Sequence, residues 1–313
     1  LKKYNIVVTG CGGDIGQSIG KILKESLLFE KVIGADITEE HAGKFIFDEL
    51  IMLPLCSSSE YTQHLEKLIK QFNIDFLLPI SEPELRMLTE LGIESEYLNT
   101  KLICANLKSR EIGFDKLATS EFLEKSNLPF PETFVIENMT PVSFPLILKS
   151  RKGSGSKSIF ILHDIDDFGF YQKKHPDFIA QELIAGDPDE YTCGLFRSKN
   201  NEIRSVIYKR KLVDSYSGYG EVIEHDSITN LLHSLATNLE LTGSINVQLK
   251  LSHKGPCVFE INPRFSSTVR FRHMMGFEDV IWSIEDALGQ LITNFTSPQV
   301  GTKFYKGFYE YTN

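Results

Sequence analysis

Glu260, Asn262 and Arg264 stand at every second position of FEINPR, and Gln248 lies just upstream in NVQ. In an extended strand, alternate residues share a face, so the first three project together and a neighbouring strand can add Gln248. Carboxylate and amide oxygens are hard donors that suit Mg²⁺, which usually takes one or two protein carboxylates alongside nucleotide phosphates. An arginine beside them suits the phosphate charge. Phe259 and Ile261 fall on the opposite face and are expected in the core. The same residues also fit the plain polar face of an exposed two-stranded ribbon.

The element that positions them reads as a β-hairpin, because Ser244 to Leu251 and Cys257 to Ile261 are β-rich runs joined by the turn-like HKGP. A second hairpin is expected at 142–164, where Lys149 ends a strand and Gly153, Ser154, Gly155 and Ser156 form a tip rich in donors. It is not a P-loop, since extended β-branched residues follow it, but a glycine-rich hairpin can close over phosphates with its backbone N–H groups. Lys116 follows the candidate N-cap Asp115, on a helix expected between 107 and 135 that stops at LPFPE. In FIAQELIAGDPDEYTCGLF, two strands linked by AGDPD place Glu182 and Glu190 on either side of the turn. A linker's backbone can recognise an adenine edge and a carboxylate the ribose hydroxyls; the bland reading is a hairpin with surface acids.

Residues 4 to 106 alternate short apolar runs (5–9, 32–36, 50–54, 76–80, 102–105) with helical spacing such as Tyr61, Leu65, Leu68, Ile69 and Phe72. Such βαβ alternation predicts a parallel, doubly wound sheet. Gly10, Gly12, Gly13 and Gly16 at the first turn, with Asp36 ending the second strand, resemble a dinucleotide fingerprint with Asp36 on a ribose. Glycines there also simply tighten the turn and let helix and sheet approach. The Tyr-x-x-x-Lys pair of a short-chain reductase or epimerase occurs at Tyr97 and Lys101, in a loop before a strand, where the two cannot share a helical face.

A 313-residue chain with 42% hydrophobic and 24% charged residues can bury a large core and divides into two or three domains. Its net charge of −9 argues against a nucleic-acid partner. With no long apolar run and no signal-like N-terminus, no membrane partner and a cytoplasmic location are expected. The five cysteines are scattered and without CxxC spacing, so reduced, mostly buried thiols are expected.

Taken together, a helix-start lysine, a strand lysine before a glycine-rich hairpin, QELI followed by Gly and Glu, NVQ and EINPR resemble the ATP-grasp superfamily, nearest to the carbamoyl-phosphate synthase large-subunit type. The resemblance implies an α/β and α+β fold: a Rossmann-like pre-ATP-grasp domain (1–108), a subdomain with the glycine-rich lid (109–184) and a C-terminal subdomain with the metal site (185–313). It implies that ATP binds between the last two. Lys116 and Lys149 would hold the α and β phosphates, and Gly153, Ser154, Gly155 and Ser156 would form the lid. Glu182, Leu183 and Ile184 would flank adenine, with Glu190 on the ribose. Gln248, Glu260 and Asn262 would bind one or two Mg²⁺ ions, or Mn²⁺, and Arg264 the γ-phosphate. In two places the chain departs from the family: the turn from Gly186 to Glu190 is longer than usual, and FSSTVRFRHMMG matches no family pattern.

The implied reaction is ATP-dependent joining of a small-molecule carboxylate to an amine or ammonia through an acyl phosphate, with ADP and phosphate released. Arg210 and Arg270 are the expected substrate-side cations, and Tyr216 and Tyr219 in SYSGYGE a possible flap. A homodimer is compatible with the sequence. An NAD(P)-dependent reductase and an inactive nucleotide-binding regulator are the alternatives.

Overall fold

A computed structural model describes residues 3–141, 143–153, 159–186, 189–213, 216–253, 255–307 and 309–312. The N-terminal third runs β1 (Tyr4–Thr9), α1 (Asp14–Ser26), β2 (Phe29–Asp36), β3 (Glu49–Met52), α2 (Tyr61–Phe72), β4 (Phe76–Pro79), α3 (Glu82–Glu90), β5 (Glu96–Tyr97) and β6 (Thr100–Leu102). The sheet order is β3-β2-β1-β4-β6-β5, parallel except for the β5–β6 edge. Both faces are covered. Ile19, Ile22 and Leu23 of α1 pack with Ile6, Val8 and Phe76, while Leu65, Leu68 and Phe72 of α2 pack with Val7, Ile33 and Leu77. The last expected strand, 102–105, is instead a short hairpin ending at Leu102, and Tyr97 and Lys101 lie on its two strands.

The glycine turn is filled by the protein itself. Gly12 N–H donates to Asp36 Oδ2 (2.7 Å), and a Cβ on Gly12 would meet the His41 imidazole at 2.6 Å. Asp36 also accepts from Ile37 N–H at 2.7 Å. The carboxylate expected on a ribose therefore brackets its own loop.

Between 107 and 135 the single expected helix is two, α4 (Leu107–Gly113) and α5 (Lys116–Lys125). Asp115 has extended backbone and caps α5, accepting from Leu117 N–H (3.0 Å) and Ala118 N–H (3.3 Å), so the chain must break there. A Cβ on Gly113 would meet Pro263 at 2.7 Å, which brings the end of α4 against the EINPR segment. Then follow β7 (Thr133–Val135), β8 (Leu146–Lys149), β9 (Ile159–Leu162), α6 (Ile165–Lys174) and β10 (Ile179–Glu182). These strands form an antiparallel sheet, β7-β10-β8-β9, whose core includes Leu146, Leu148, Leu162 and Phe168.

The remainder runs β11 (Glu190–Arg197), β12 (Ile203–Val213), β13 (Tyr216–Ile223), α7 (Asp226–Asn238), β14 (Gly243–Ser252), β15 (Gly255–Asn262), α8 (Val269–Met274), α9 (Asp279–Ala287) and β16 (Lys303–Tyr305). Its sheet order is β15-β14-β11-β12-β13-β16. One face packs on α7 through Leu231, Leu232, Val247 and Ile261, and the other on Phe277 and Trp282. Two expectations are corrected here. β10 and β11 do not pair as a hairpin: they belong to different sheets, because a turn-rich linker specifies reversal of the chain but not pairing. SYSGYGE is largely strand β13, and Tyr219 packs against Tyr305 with ring centroids 5.2 Å apart and planes inclined at 53°, away from the cleft described below.

Candidate active site

A cleft of about 670 Å³ opens between the two antiparallel sheets. Lys149, Gly153 and Gln181 line one wall, and Glu190, Arg210, Gln248, Glu260, Asn262 and Arg264 line the other. Glu182, Leu183 and Ile184 lie where the chain passes between the sheets, and Lys116 enters from α5.

Lys149 is buried at the end of β8, where its Nζ donates to Gln181 Oε1 at 2.7 Å and to Phe259 O at 3.4 Å. Burial lowers its pKa to about 8, with Lys116 adding to the effect and Glu260 opposing it. Lys116 Nζ donates to Gly153 O at 2.7 Å. The base of the glycine-rich hairpin is tied to α5 a second time by Arg151, whose Nη2 lies 2.8 Å from Asp115 Oδ2. Burial alone would raise the Asp115 pKa, but Arg151 and the capping N–H groups hold it below the usual carboxylate value.

On the opposite wall β14 and β15 pair as the expected hairpin, with Gln248 opposite Glu260 and Asn246 opposite Asn262. After Gln248 the register shifts, so that Leu249 faces Val258 and Phe259 is the extra residue of a bulge. Phe259 therefore turns to the cleft, with Lys149 Nζ 6.0 Å from its ring centroid; strict alternation had placed it in the core. Arg210 pairs with Glu190 and donates to Gln248 Oε1 at 3.0 Å and to Ser217 Oγ at 3.3 Å. One carboxylate and two amide oxygens on adjacent strands fit a Mg²⁺ ion that shares its shell with phosphates.

Residues 114–268 match the family model for the ATP-grasp domain, and residues 6–103 match that for the PylC-like N-terminal domain. The chain is an ATP-grasp protein. It is 26% identical over 125 residues to a carbamoyl-phosphate synthase from Methanobrevibacter smithii (36% of this chain, 33% of that protein). It is 25% identical over 197 residues to a D-alanine–D-alanine ligase from Petrotoga mobilis (59% of each). The matched region thus spans about a third and about three-fifths of these curated relatives. Among solved structures, the ADP complex of an N5-carboxyaminoimidazole ribonucleotide synthetase has a TM-score of 0.76 at 17% identity, covering 95% of this chain and 80% of that one. The Hydrogenobacter thermophilus 2-oxoglutarate carboxylase biotin carboxylase domain, solved with MgADP, ADP and bicarbonate, has a TM-score of 0.75 at 14% identity, covering 97% and 74%. These two likenesses show a shared fold.

In this ATP-grasp fold, the residues expected on nucleotide and metal converge on one cleft, apart from Ser154, Gly155 and Ser156, which lie outside the described residues. Arg270 does not join them. It forms a two-pronged pair with Glu25 of α1 (2.6 Å each) and fastens α8 to the N-terminal domain, because the helix that follows EINPR turns it away from the cleft. Arg210 does line the cleft, but its charge is matched by Glu190. Sequence reasoning missed Gln181 and Phe259. A lone glutamine in the apolar run FIAQELI was a signal for Gln181; a bulge has no comparable sequence mark. Cys11, Asp36 and His41 also bring ligand atoms within 4.8 Å of one another. There His41 Nδ1 accepts from Gly43 N–H (3.1 Å), which puts the ring hydrogen on Nε2, the wrong polarity for a metal ligand.

Proposed function

We propose that this ATP-grasp protein is an ATP-dependent ligase that joins a small-molecule carboxylate to an amine or ammonia. The observation that carries the reading is the convergence of Lys116, Lys149, Gln248, Glu260, Asn262 and Arg264 on one cleft. The names of the relatives, a D-alanine–D-alanine ligase among them, agree with it.

A substrate carboxylate oxygen attacks the γ-phosphorus of ATP, the bond to the β,γ-bridging oxygen breaks, and ADP leaves. The amine nitrogen then attacks the acyl carbon, phosphate departs with the C–O electron pair, and the amine proton passes to solvent. Little covalent help is needed from the protein, so positioning and charge neutralisation carry the rate. Lys116 and Lys149 hold the α and β phosphates and Arg264 the γ-phosphate. Leu183 and Ile184, with the Glu182 backbone, hold adenine, and Glu190 reaches the ribose while still paired with Arg210. Gln248, Glu260 and Asn262 would hold one or two Mg²⁺ ions, which supply charge neutralisation at the phosphates. The hairpin around Gly153 keeps water from the acyl phosphate.

The test is ADP release measured across a panel of carboxylates crossed with amines. Release that needs one member of each set supports the ligase. Stabilisation by NAD(P) and not by MgATP in a thermal-shift assay would overturn it.

A further inference from the structure

Asn246, the strand partner of Asn262, is held by a charged pair that does not line the cleft. Arg272 of α8 and Asp279 of α9 are both fully buried. Arg272 Nη1 donates to Asp279 Oδ2 at 3.2 Å, and Ser244 Oγ donates to the same oxygen at 2.7 Å. Arg272 Nη2 donates to Asn246 Oδ1, which also accepts from Thr192 Oγ1 at 2.9 Å. A Cβ on Gly194 would meet Cζ and Nε of Arg272 at 2.9 Å, so glycine at that position lets the guanidinium lie across β11.

Stability alone is a weak reason for this arrangement. Among the described residues, Arg272 Nε and Asp279 Oδ1 are buried without a hydrogen bond. An incompletely bonded buried ion pair is commonly less stable than an apolar filling of the same volume. What the pair does secure is Asn246. On the same face of β14, two residues along, stands Gln248, opposite Glu260; directly across from Asn246 stands Asn262. Amide side chains meet a cation through oxygen and repel it through N–H₂, so their use as ligands depends on neighbours that fix their rotation and spacing. Arg210 does this for Gln248 from the front of the sheet. Arg272 grips the same strand from deeper in the fold.

We propose that Arg272 is a positioning residue for the metal-binding row: through Asn246 it ties β14, which carries Gln248 and pairs with the strand of Glu260 and Asn262, to β11 and α8. The inference rests on the reading that those three residues hold the metal. The segment after EINPR, which matched no family pattern in the sequence, then acts on the site without touching the substrates.

The experiment is a Mn²⁺ titration of the full chain with ADP present, alongside ADP affinity in EDTA and the melting temperature. Arg272→Met and Asn246→Ala should each weaken Mn²⁺ by roughly 10- to 100-fold, the range seen when outer-shell partners of a metal are removed. ADP affinity in EDTA should stay at the wild-type value, and Arg272→Lys should recover part of the Mn²⁺ affinity. If Arg272→Met does not fold, Asn246→Ala carries the test alone. Unchanged Mn²⁺ affinity in folded Asn246→Ala overturns the proposal, as does an equal loss of ADP affinity with and without metal. A different result, wild-type Mn²⁺ affinity in Glu260→Gln, would overturn the metal assignment itself.

Discussion

Lys116 Nζ lies 4.0 Å from Glu260 Oε1, so the cation at the start of α5 and the carboxylate of β15 face each other across the cleft. On the proposed reading a phosphate chain would part this pair, taking the cation directly and the carboxylate through a metal. Glu260→Gln keeps the shape and removes the charge. ADP formation should fall by roughly 100- to 1,000-fold, the size of one lost transition-state contact, with the melting temperature little changed. Near wild-type turnover would refute the assignment.

Lys149 gives the site a pH dependence. Because burial holds its pKa near 8, with Lys116 and Glu260 as the charged groups facing it, the ammonium is lost as pH rises through that value. Nucleotide affinity should therefore decline between pH 7 and 9, and Lys149→Ala should abolish that slope while weakening binding by about 1.5–3 kcal/mol. Stability moves the other way. The cost of holding the charge is fully present below about 8 and disappears towards the ordinary lysine value of 10.5, so this group stabilises the fold as pH rises through that window. Calorimetric titration at several pH values checks the affinity, and denaturant unfolding checks the stability.

Gly12→Ala tests whether the N-terminal glycines serve packing. The new methyl would meet the His41 ring at 2.6 Å, so the variant should lose about 1–3 kcal/mol of stability through overpacking. ATP affinity of the folded variant should not change. A folded variant that no longer binds ATP would place the nucleotide in the wrong domain.

Asp115 links two parts of the site, since it caps α5 and pairs with Arg151. Asp115→Asn keeps a capping oxygen but removes the charge that anchors the hairpin. Trypsin should then cut at Arg151 or Lys152 faster than in wild type, and MgATP should slow cleavage in both proteins. Equal rates with and without MgATP would show that the hairpin does not engage the nucleotide.

Much of this was legible in the sequence, for identifiable reasons. β14 and β15 announce themselves because alternation and a Gly-Pro turn are local signals, and Asp115 because an acid before a helix has one common use. The partners of the functional groups were not legible. Arg210 to Glu190, Lys149 to Gln181 and Arg270 to Glu25 are contacts between separate elements, set by which strands become neighbours. Phe259 was misplaced because one inserted residue resets strand alternation. The division of β10 and β11 between two sheets follows from packing on separate cores, which the AGDPD linker does not encode.

The connection between those two sheets has a mechanical consequence. The chain enters the smaller sheet from α5 through 126–132 and leaves it after Glu182, and the two ends are bonded by Glu182 N–H to Glu132 O at 2.8 Å. Two joined ends make an axle. If the smaller sheet turns about it, Leu183 and Ile184 move little, while Gly153, beyond the end of β8 far from Glu182, moves more. On the proposed reading the base lies beside this joint and the phosphates away from it, so the grip on the base and the closure over the phosphates would be tuned by separate residues.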